Sequence, residues 1–500
     1  MDAKELTSGL NNSRVTSGFY YSEPGNFSTK NVIEDFMKTE YQEGLRNEFN
    51  MMDALINRLS KDTISGKKKY KSFALGVNDN VRAVGNSYDR YELGFDTFYN
   101  KGVETVEAEF DTTKLMATFA ITDEAILKGT GDGSLLDVLK DSLDRMEVSL
   151  KHTMNRYTYG APDGIIGKVV GNFEVITLQT SETKPSDARG KEHNIFYKRE
   201  GVDFPTVVKF KMKNSHSLLP GMGIMIQDGT TKRYVGRIWQ KDNSVIHDES
   251  ILMFIDKYLE YASGAWTTKT IPTGSTITVA DATVYSRQLD DTRDEPAFEY
   301  HGLEAILNPT KYPTIFGVNR NIYTSLKNTE VDLQNKYYLN EETLRDMSDH
   351  LALTSPEGTG INLVCSNHRV ISAVEKSLMQ FKETLYTQNS NGYQLGRPDI
   401  KFDNFVMVKD KYARDNNVYM LDQTKIGELV RRDFTWITSG EVNSVLQRRP
   451  GTELYEGIMN KYADMYIDAW RCHGIIRNVA VPAAGQIINS IYEVATAPTV

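Results

Sequence analysis

"SLLDVLKDSLDRMEVSLKHTMNRYTYG", residues 134–160, is the most regular stretch of the chain, and the rest is read outward from it. Ser134 followed by Asp137 has the spacing of a capping box. Leu135, Leu139, Leu143, Met146, Leu150, Met154 and Tyr157 recur at three- and four-residue steps, which draws a single apolar stripe along an α-helix. At about 1.5 Å per residue, a helix over 135–158 is roughly 36 Å long. Lys151, His152 and Arg156 in the last turns suit the negative end of the helix dipole, and Gly160 is a stop. One apolar stripe with charge opposite predicts a rod lying across a sheet or a second helix. Nothing on it is placed for chemistry, so the rod sets a dimension.

On the C-terminal side, "NRYTYGAPDGIIGKVV" leads into a β-rich block at 169–288. Its strands are expected in "FEVITLQT", "PTVVKFKMK", "GIMIQDGTTKRYVGRIWQ", "SILMFIDKYLEY" and "STITVADATVY", with a hairpin turn at Asp228-Gly229. That much strand between two helix-containing regions predicts an inserted barrel or sandwich. The acidic "LDDTRDEPAFEYHG" reads as the return linker. Beyond it, "GINLVCSNHRVISAVEKSLMQF" predicts a buried strand, a Ser366 cap and a helix striped by Val370, Val374, Leu378 and Phe381. "FVMVKD" and "NVYMLD" add short strands, so the fold class is α+β.

On the N-terminal side, residues 1 to about 30 are polar with scattered aromatics, the composition of an arm lying on another surface. A helix is expected from Asn31 to Leu59. From Lys67 to Ile121 the pattern is extended, a long two-stranded excursion that leaves the body and returns. Its charge is polarised. Six bases (Lys67, Lys68, Lys69, Lys71, Arg82, Arg90) face two acids between 67 and 90, a balance of +4. Two bases face six acids, among them Glu92, Asp96, Glu104 and Glu107, between 91 and 114, a balance of −4. The two flanks either neutralise each other or reach oppositely charged neighbours. A long hairpin with little core of its own favours the neighbours.

Composition excludes several classes. A formal net charge of −9 opposes bulk binding of phosphate backbones, and the basic run at 66–71 reads as a solvated turn. No apolar run reaches the roughly 18 residues of a membrane span. With Cys365 and Cys472 as the only cysteines there is no disulfide framework, which fits a reducing compartment. No phosphate loop, dinucleotide fingerprint, nucleophile elbow or zinc-protease helix is present. Cys365, His368, Cys472 and His473 have zinc-type donors, but Cys472 and His473 are adjacent in an expected strand and would point to opposite faces. No catalytic, cofactor or metal site is therefore assigned. Arg431-Arg432 and Arg448-Arg449 suit carboxylate pairing at a subunit interface.

The order of parts carries a resemblance. A polar arm, a two-stranded excursion, "LMATFAITDEAIL", the rod, "NRYTYGAPDGIIGKV", a β block, "GLEAIL" and a strand–helix region together resemble the major capsid protein of tailed bacteriophages, the Hong Kong 97-type fold. Asn155, Arg156, Tyr159, Gly160 and Gly164 match the string that closes the spine helix in that family. The resemblance implies an N-terminal arm at 1–60, an extended loop at 67–120 and a peripheral domain at 121–168 with its spine helix at 135–158. It further implies an insertion domain at 169–288, an axial domain at 295–460, and peripheral return strands with a tail at 461–500. It also implies copies of the chain as pentamers and hexamers, a separate scaffolding protein, portal and auxiliary or decoration proteins, and enclosed double-stranded DNA held without sequence-specific contacts. Assembly in the host bacterial cytoplasm and residence in the virion follow from it. A nanocompartment shell of the encapsulin type shares the fold. A carbohydrate module with Tyr258, Tyr261 and Trp266 as an aromatic platform is the alternative of another class.

Overall fold

The computed structural model describes residues 55–76, 103–122, 146, 148–176, 206–242, 249–262, 264–271, 276–279, 281–287, 298–355, 360–379, 388–389, 392–393, 401–402, 405–437, 446–448 and 454–482. The capping box at Ser134, most of the Asn31–Leu59 helix, and Arg82, Arg90, Glu92, Asp96 and Arg449 lie outside them. At its described end the expected first helix is only a 3-10 turn, Leu55–Asn57. Asp410 accepts the Leu55 N–H there at 3.0 Å, and the chain runs on into β1 (Ser60–Thr63).

β2 (Lys69–Ala74) and β3 (Thr105–Phe110) pair antiparallel as a two-stranded ribbon with no third strand among the described residues. β4 (Thr113–Thr122) does not continue the ribbon; all ten of its residues pair with a strand near the C-terminus. The last part of the expected 67–120 excursion therefore belongs to the body. The rod follows as α1, helical over 148–158. Leu150 and Met154 bury against Ile56 and Leu115, with Met146, Tyr157, Phe434 and Met459 packed around them. The described part of the expected stripe, Met146 to Tyr157, lies across a sheet; Leu135, Leu139 and Leu143 lie outside the described residues.

The β block begins earlier than its sequence indicated. β5 (Ile165–Ile176) starts four residues before position 169, because Ile166 and Val169 already face the block's own core. With β6 (Thr206–Met212), β7 (Gly223–Asp228), β8 (Lys232–Asp242), β9 (Ser250–Ala262), β10 (Ala265–Lys269), β11 (Thr276–Ile277) and β12 (Thr283–Ser286) it forms one antiparallel sheet. The order β9-β6-β5-β12-β7-β8 closes on itself because β8 also pairs with β9, so six strands make a barrel. Closure removes the open edges that an isolated sheet would present. Phe173, Phe210, Tyr234, Ile226 and Met253 fill the interior, a core separate from the body's. Gly229 takes the left-handed conformation (φ +61°) in the expected hairpin turn. At the β8–β9 bulge a Cβ on Gly236 would sit 1.9 Å from the Phe254 carbonyl oxygen, so the two backbones require glycine there.

The remainder begins with the short helix α2 (Leu303–Leu307) and the hairpin β13 (Thr314–Ile315) and β14 (Val318–Asn319). β15 (Thr329–Asp332), α3 (Glu341–Thr354), β16 (Leu363–Ser366) and α4 (His368–Met379) follow. After the pair β17 (Gln388–Asn389) and β18 (Gly392–Tyr393) come β19 (Lys401–Phe402), β20 (Phe405–Lys409), β21 (Val418–Leu421) and β22 (Ile426–Trp436). The last strands are β23 (Leu446–Arg448), β24 (Leu454–Ile467) and β25 (Gly474–Arg477). A mixed sheet runs β15-β25-β21-β16-β20-β19. Its central strands are apolar on both faces: Val364, Val418 and Met420 meet α3 and α4, while Leu363, Cys365, Tyr419 and Leu421 face the body. Asn367 rather than Ser366 caps α4, accepting the Arg369 N–H at 3.1 Å. Ser366 Oγ instead donates to the Asn417 carbonyl at 2.6 Å.

The sheet under α1 is β1-β22-β24, with β4 and β23 also on β24. These sheets divide the chain differently from the expected boundary at residue 460. β22 and β24 belong to the sheet beneath the rod, whereas β25, expected among the return strands, joins the mixed sheet. Periodicity marks a strand but not its neighbour, so the boundary was not readable locally.

Gly302 caps α2 directly beneath the end of α1; a Cβ there would lie 2.3 Å from the Tyr157 carbonyl oxygen and 2.7 Å from that of Thr158. Gly302→Ala should lower stability by roughly 2–3 kcal/mol through overpacking, seen as a reduced urea midpoint at unchanged slope.

Candidate functional site

The side of α1 opposite its apolar stripe is not a solvated charged face in its last two turns. His152, Asn155, Arg156 and Thr158 are all buried, as is Tyr159 just beyond. Arg156 reaches Glu299 at 2.7 Å, and Ser286 Oγ of the barrel donates to the same carboxylate. Tyr159 donates to Asp410 at 2.9 Å; Asp410 also accepts the N–H groups of Leu55 and Tyr412. His152 Nδ1 and Tyr412 Oη are 2.8 Å apart. Arg414 donates to the carbonyls of Tyr159 and Ile165 at 3.2 and 2.9 Å. Asp415 and Asn214 exchange backbone-to-side-chain hydrogen bonds, each 2.7 Å. The loop between β20 and β21 thus ties the rod's end, the barrel's entry and the turn before β1 into one polar joint.

The joint is structural in character. Burial, then the nearby Arg156, Lys411 and Lys241 charges, push His152 down to about 3, so it is neutral and adds nothing at the helix dipole's negative end. Burial works against ionising Glu304, yet Arg414 and Arg477 outweigh it and hold its carboxyl below the usual range. The cavity bounded by Arg156, Tyr159, Asn214, Glu299, Tyr412 and Arg414 is about 20 Å³, room for a water molecule but no substrate. The acids of the joint are each engaged by a base or an N–H donor.

A second cluster holds the root of the β2–β3 ribbon. Phe73 packs on Trp470 at 4.8 Å between centroids, and Phe110 on Phe316 at 4.5 Å. Lys71 pairs with Asp468, Lys69 with Asp62, and Lys68 with Glu109. Arg431 reaches the Lys67 carbonyl and, at 3.3 Å, Asp111. Phe316 and Gly317 form the two-residue turn of the β13–β14 hairpin with φ of +52° and +76°, the signature of a type I′ turn. A phenylalanine is a costly occupant there. Its carbonyl accepts the Glu109 N–H at 2.9 Å, so the strained residue clamps the ribbon by ring and by backbone. Beneath the rod, Lys461 and Glu428 form a fully buried ion pair at 2.7 Å, with the Phe434 ring 5.1 Å from the ammonium.

The residues expected at interfaces are distributed unevenly. Lys68, Lys69, Lys71 and Arg431 all have partners within the chain. Lys67, Glu104, Glu107 and Arg432 are exposed, and Arg448 lies on β23. Sequence reasoning missed the Lys461–Glu428 pair and the Asp410 and Glu299 hubs, because a lone acid in a mixed segment carries no periodic signal. Cys472 lies in a 3-10 turn, Trp470–Cys472, rather than in a strand. Its sulfur is 3.2 Å from Ser355 Oγ, while His473 Nδ1 accepts the Asp422 N–H at 3.2 Å. Cys365 is buried on the opposite face of β16 from α4, and burial pushes its thiol up. No group of three or more metal-type side chains occurs among the described residues. The aromatic platform is also incomplete: Tyr258 is buried and stacked on Tyr234, and Arg233 lies 4.0 Å from the Trp266 ring centroid, leaving only Tyr261 well exposed.

No protein family and no curated protein matches the sequence. Solved structures do resemble the fold. The capsid asymmetric unit of cyanophage A-1(L) has 10% identity and a TM-score of 0.45, covering 88% of this chain and 96% of that one. A structure of Mycobacterium phage Adephagia has 7% identity and a TM-score of 0.40, covering 92% and 100%. The encapsulin complex of Synechococcus elongatus has 6% identity and a TM-score of 0.39, covering 90% and 96%.

Two outcomes test the joint. Glu299→Ala strands the Arg156 guanidinium in the interior and should cost about 3–5 kcal/mol in chemical denaturation. His152 titrates lower in the folded chain than its ordinary 6.5, so its contribution is complete above pH 6.5 and is lost as pH falls toward about 3. That loss is on the order of 4 kcal/mol. Urea titrations across this window should show a flatter pH dependence for His152→Gln.

Proposed function

We propose that this chain is the major capsid protein of a tailed double-stranded DNA phage, a subunit whose copies close into an icosahedral head. The β2–β3 ribbon carries the reading. It is anchored at its root by Trp470, Phe316, Asp468 and Arg431, yet among the described residues it is two strands wide, with Tyr70 60% exposed on its outer face. Two-stranded ribbons are marginal alone, and a surface on a neighbouring copy is the natural completion. The rod supports the same reading: its last turns are packed on both sides, which suits an element that transmits a fixed thickness. The polar clusters described above are consumed in holding shape.

In this role copies form pentamers and hexamers, with a scaffolding protein guiding closure and portal and auxiliary proteins completing the head in the host cytoplasm. Packaged DNA is enclosed without sequence readout, in keeping with a net charge of −9.

Purified protein imaged by negative stain and run on a sizing column should give shells, five- or six-membered rings, or sheets. A compact monodisperse species of 56.6 kDa at all concentrations would refute the proposal. Shells filled with protein instead of nucleic acid from the producing cell would transfer it to a nanocompartment.

A further inference from the structure

The short run between the barrel and α2 carries a histidine with acids rather than bases around it. The His301 backbone N–H donates to Asp464 Oδ1 at 2.7 Å, and its ring Nδ1 lies 2.8 Å from Asp464 Oδ2. Asp464 is buried on β24, where it also accepts the Met465 N–H at 2.8 Å and the Thr113 hydroxyl at 3.2 Å. The imidazole packs on Phe316 at 5.1 Å between centroids, and the Phe298 ring stands edge-on to it at 6.2 Å. Nε2 makes no hydrogen bond among the described residues, and the side chain is 26% exposed, so a proton can arrive from solvent.

Phe316 is the strained residue whose ring packs on Phe110 and whose carbonyl accepts the Glu109 N–H, so His301 stands directly behind the ribbon's clamp. The charges that face the imidazole are both negative: Asp464 from β24 and Asp111 from the turn between β3 and β4. Arg431 of β22 is turned to Asp111 at 3.3 Å, Glu299 two residues back is turned to Arg156, and the β13–β14 turn presents the Phe316 ring. Burial works against a charged imidazole. The hydrogen bond and charge of Asp464, followed by the charge of Asp111, outweigh it and raise the ring above its ordinary 6.5. His152, His216 and His473 are instead pushed down by burial.

We infer that His301 is a proton-sensitive latch on the ribbon root: as an imidazolium it draws Asp464 and Asp111 onto the ring that backs Phe316, and without its proton it loosens the Phe316–Glu109 clamp. The folded state favours the charged form, so the latch is fully closed below about pH 6.5 and is released as the pH rises through the higher folded-state value. Acids of the same root respond in the opposite direction and in another range. Lys69 holds Asp62, and Lys68 holds Glu109, below their ordinary values, so both change charge only in far more acidic solution. The ribbon's direction is thereby set firmly in mildly acidic solution and more loosely in mildly alkaline solution.

Amide hydrogen exchange of the dispersed full-length chain, corrected for the intrinsic pH dependence of exchange, tests the latch between about pH 5.5 and 8.5. The Glu109 amide should lose protection several-fold as the pH rises, while the amides of β16 and β21 in the mixed sheet keep theirs. His301→Gln retains a donor for Asp464 and cannot titrate, so its Glu109 protection should be independent of pH over this range. The inference is overturned if wild-type Glu109 protection does not fall, if β16 and β21 share the fall, or if the fall persists in His301→Gln. Should the variant fail to fold, NMR titration of the His301 ring in the wild-type chain decides. A midpoint above 6.5 that coincides with the loss of Glu109 protection supports the latch; a midpoint at or below 6.5, or one that does not coincide, overturns it.

Discussion

The rod is held by being buried on two unlike sides at once. Leu150 and Met154 press on the β4–β24 sheet through apolar contact, while His152, Arg156 and Tyr159 on the other side are fixed by directional bonds to Tyr412, Glu299 and Asp410. Apolar contact alone would let a helix slide or rotate on its sheet, because dispersion is tolerant of direction. The polar side removes that freedom: Glu299 is the carboxylate that balances Arg156, and losing it would leave a charge in the interior. Barrel, rod and β20–β21 loop meet at this one joint.

The same logic recurs where the ribbon departs. Its root combines two aromatic contacts with ion pairs and a strained turn at Phe316, so the ribbon leaves the body in a set direction. The buried Lys461–Glu428 pair, lying between β22 and β24 under the rod, fixes the register of the strands that carry it. In the shell role proposed above, such angular definition would keep small errors in direction from accumulating over many copies. The barrel is the exception. Its core is separate from the body's, and polar contacts that include Asn214, Asp415 and Ser286 tie it to the body.

Among the described residues, three buried charged groups are engaged in holding the shape of the chain. Asp410 has three donors, Glu304 lies between two arginines, and Arg320 is spent on the carbonyls of Ala305, Ile306 and Tyr312 at the end of α2.

The rod's apolar stripe, the hairpin at Asp228-Gly229, the buried strands "LVCS" and "VYML" and the pairing of the two excursion strands were legible in the residues alone, because each is a short-range pattern: a period, a turn dipeptide, an apolar run. What the tertiary structure decided was everything that depends on a distant partner. β25 joins the mixed sheet and β24 the sheet beneath the rod; Tyr258 is inside; the rod's charged face is buried and His152 neutral. The physical reason is that hydrophobic burial repeats with the geometry of its own element and so writes a period into the sequence. A hydrogen bond or ion pair between residues 251 positions apart, as between Tyr159 and Asp410, needs only one residue at each end and leaves no such trace.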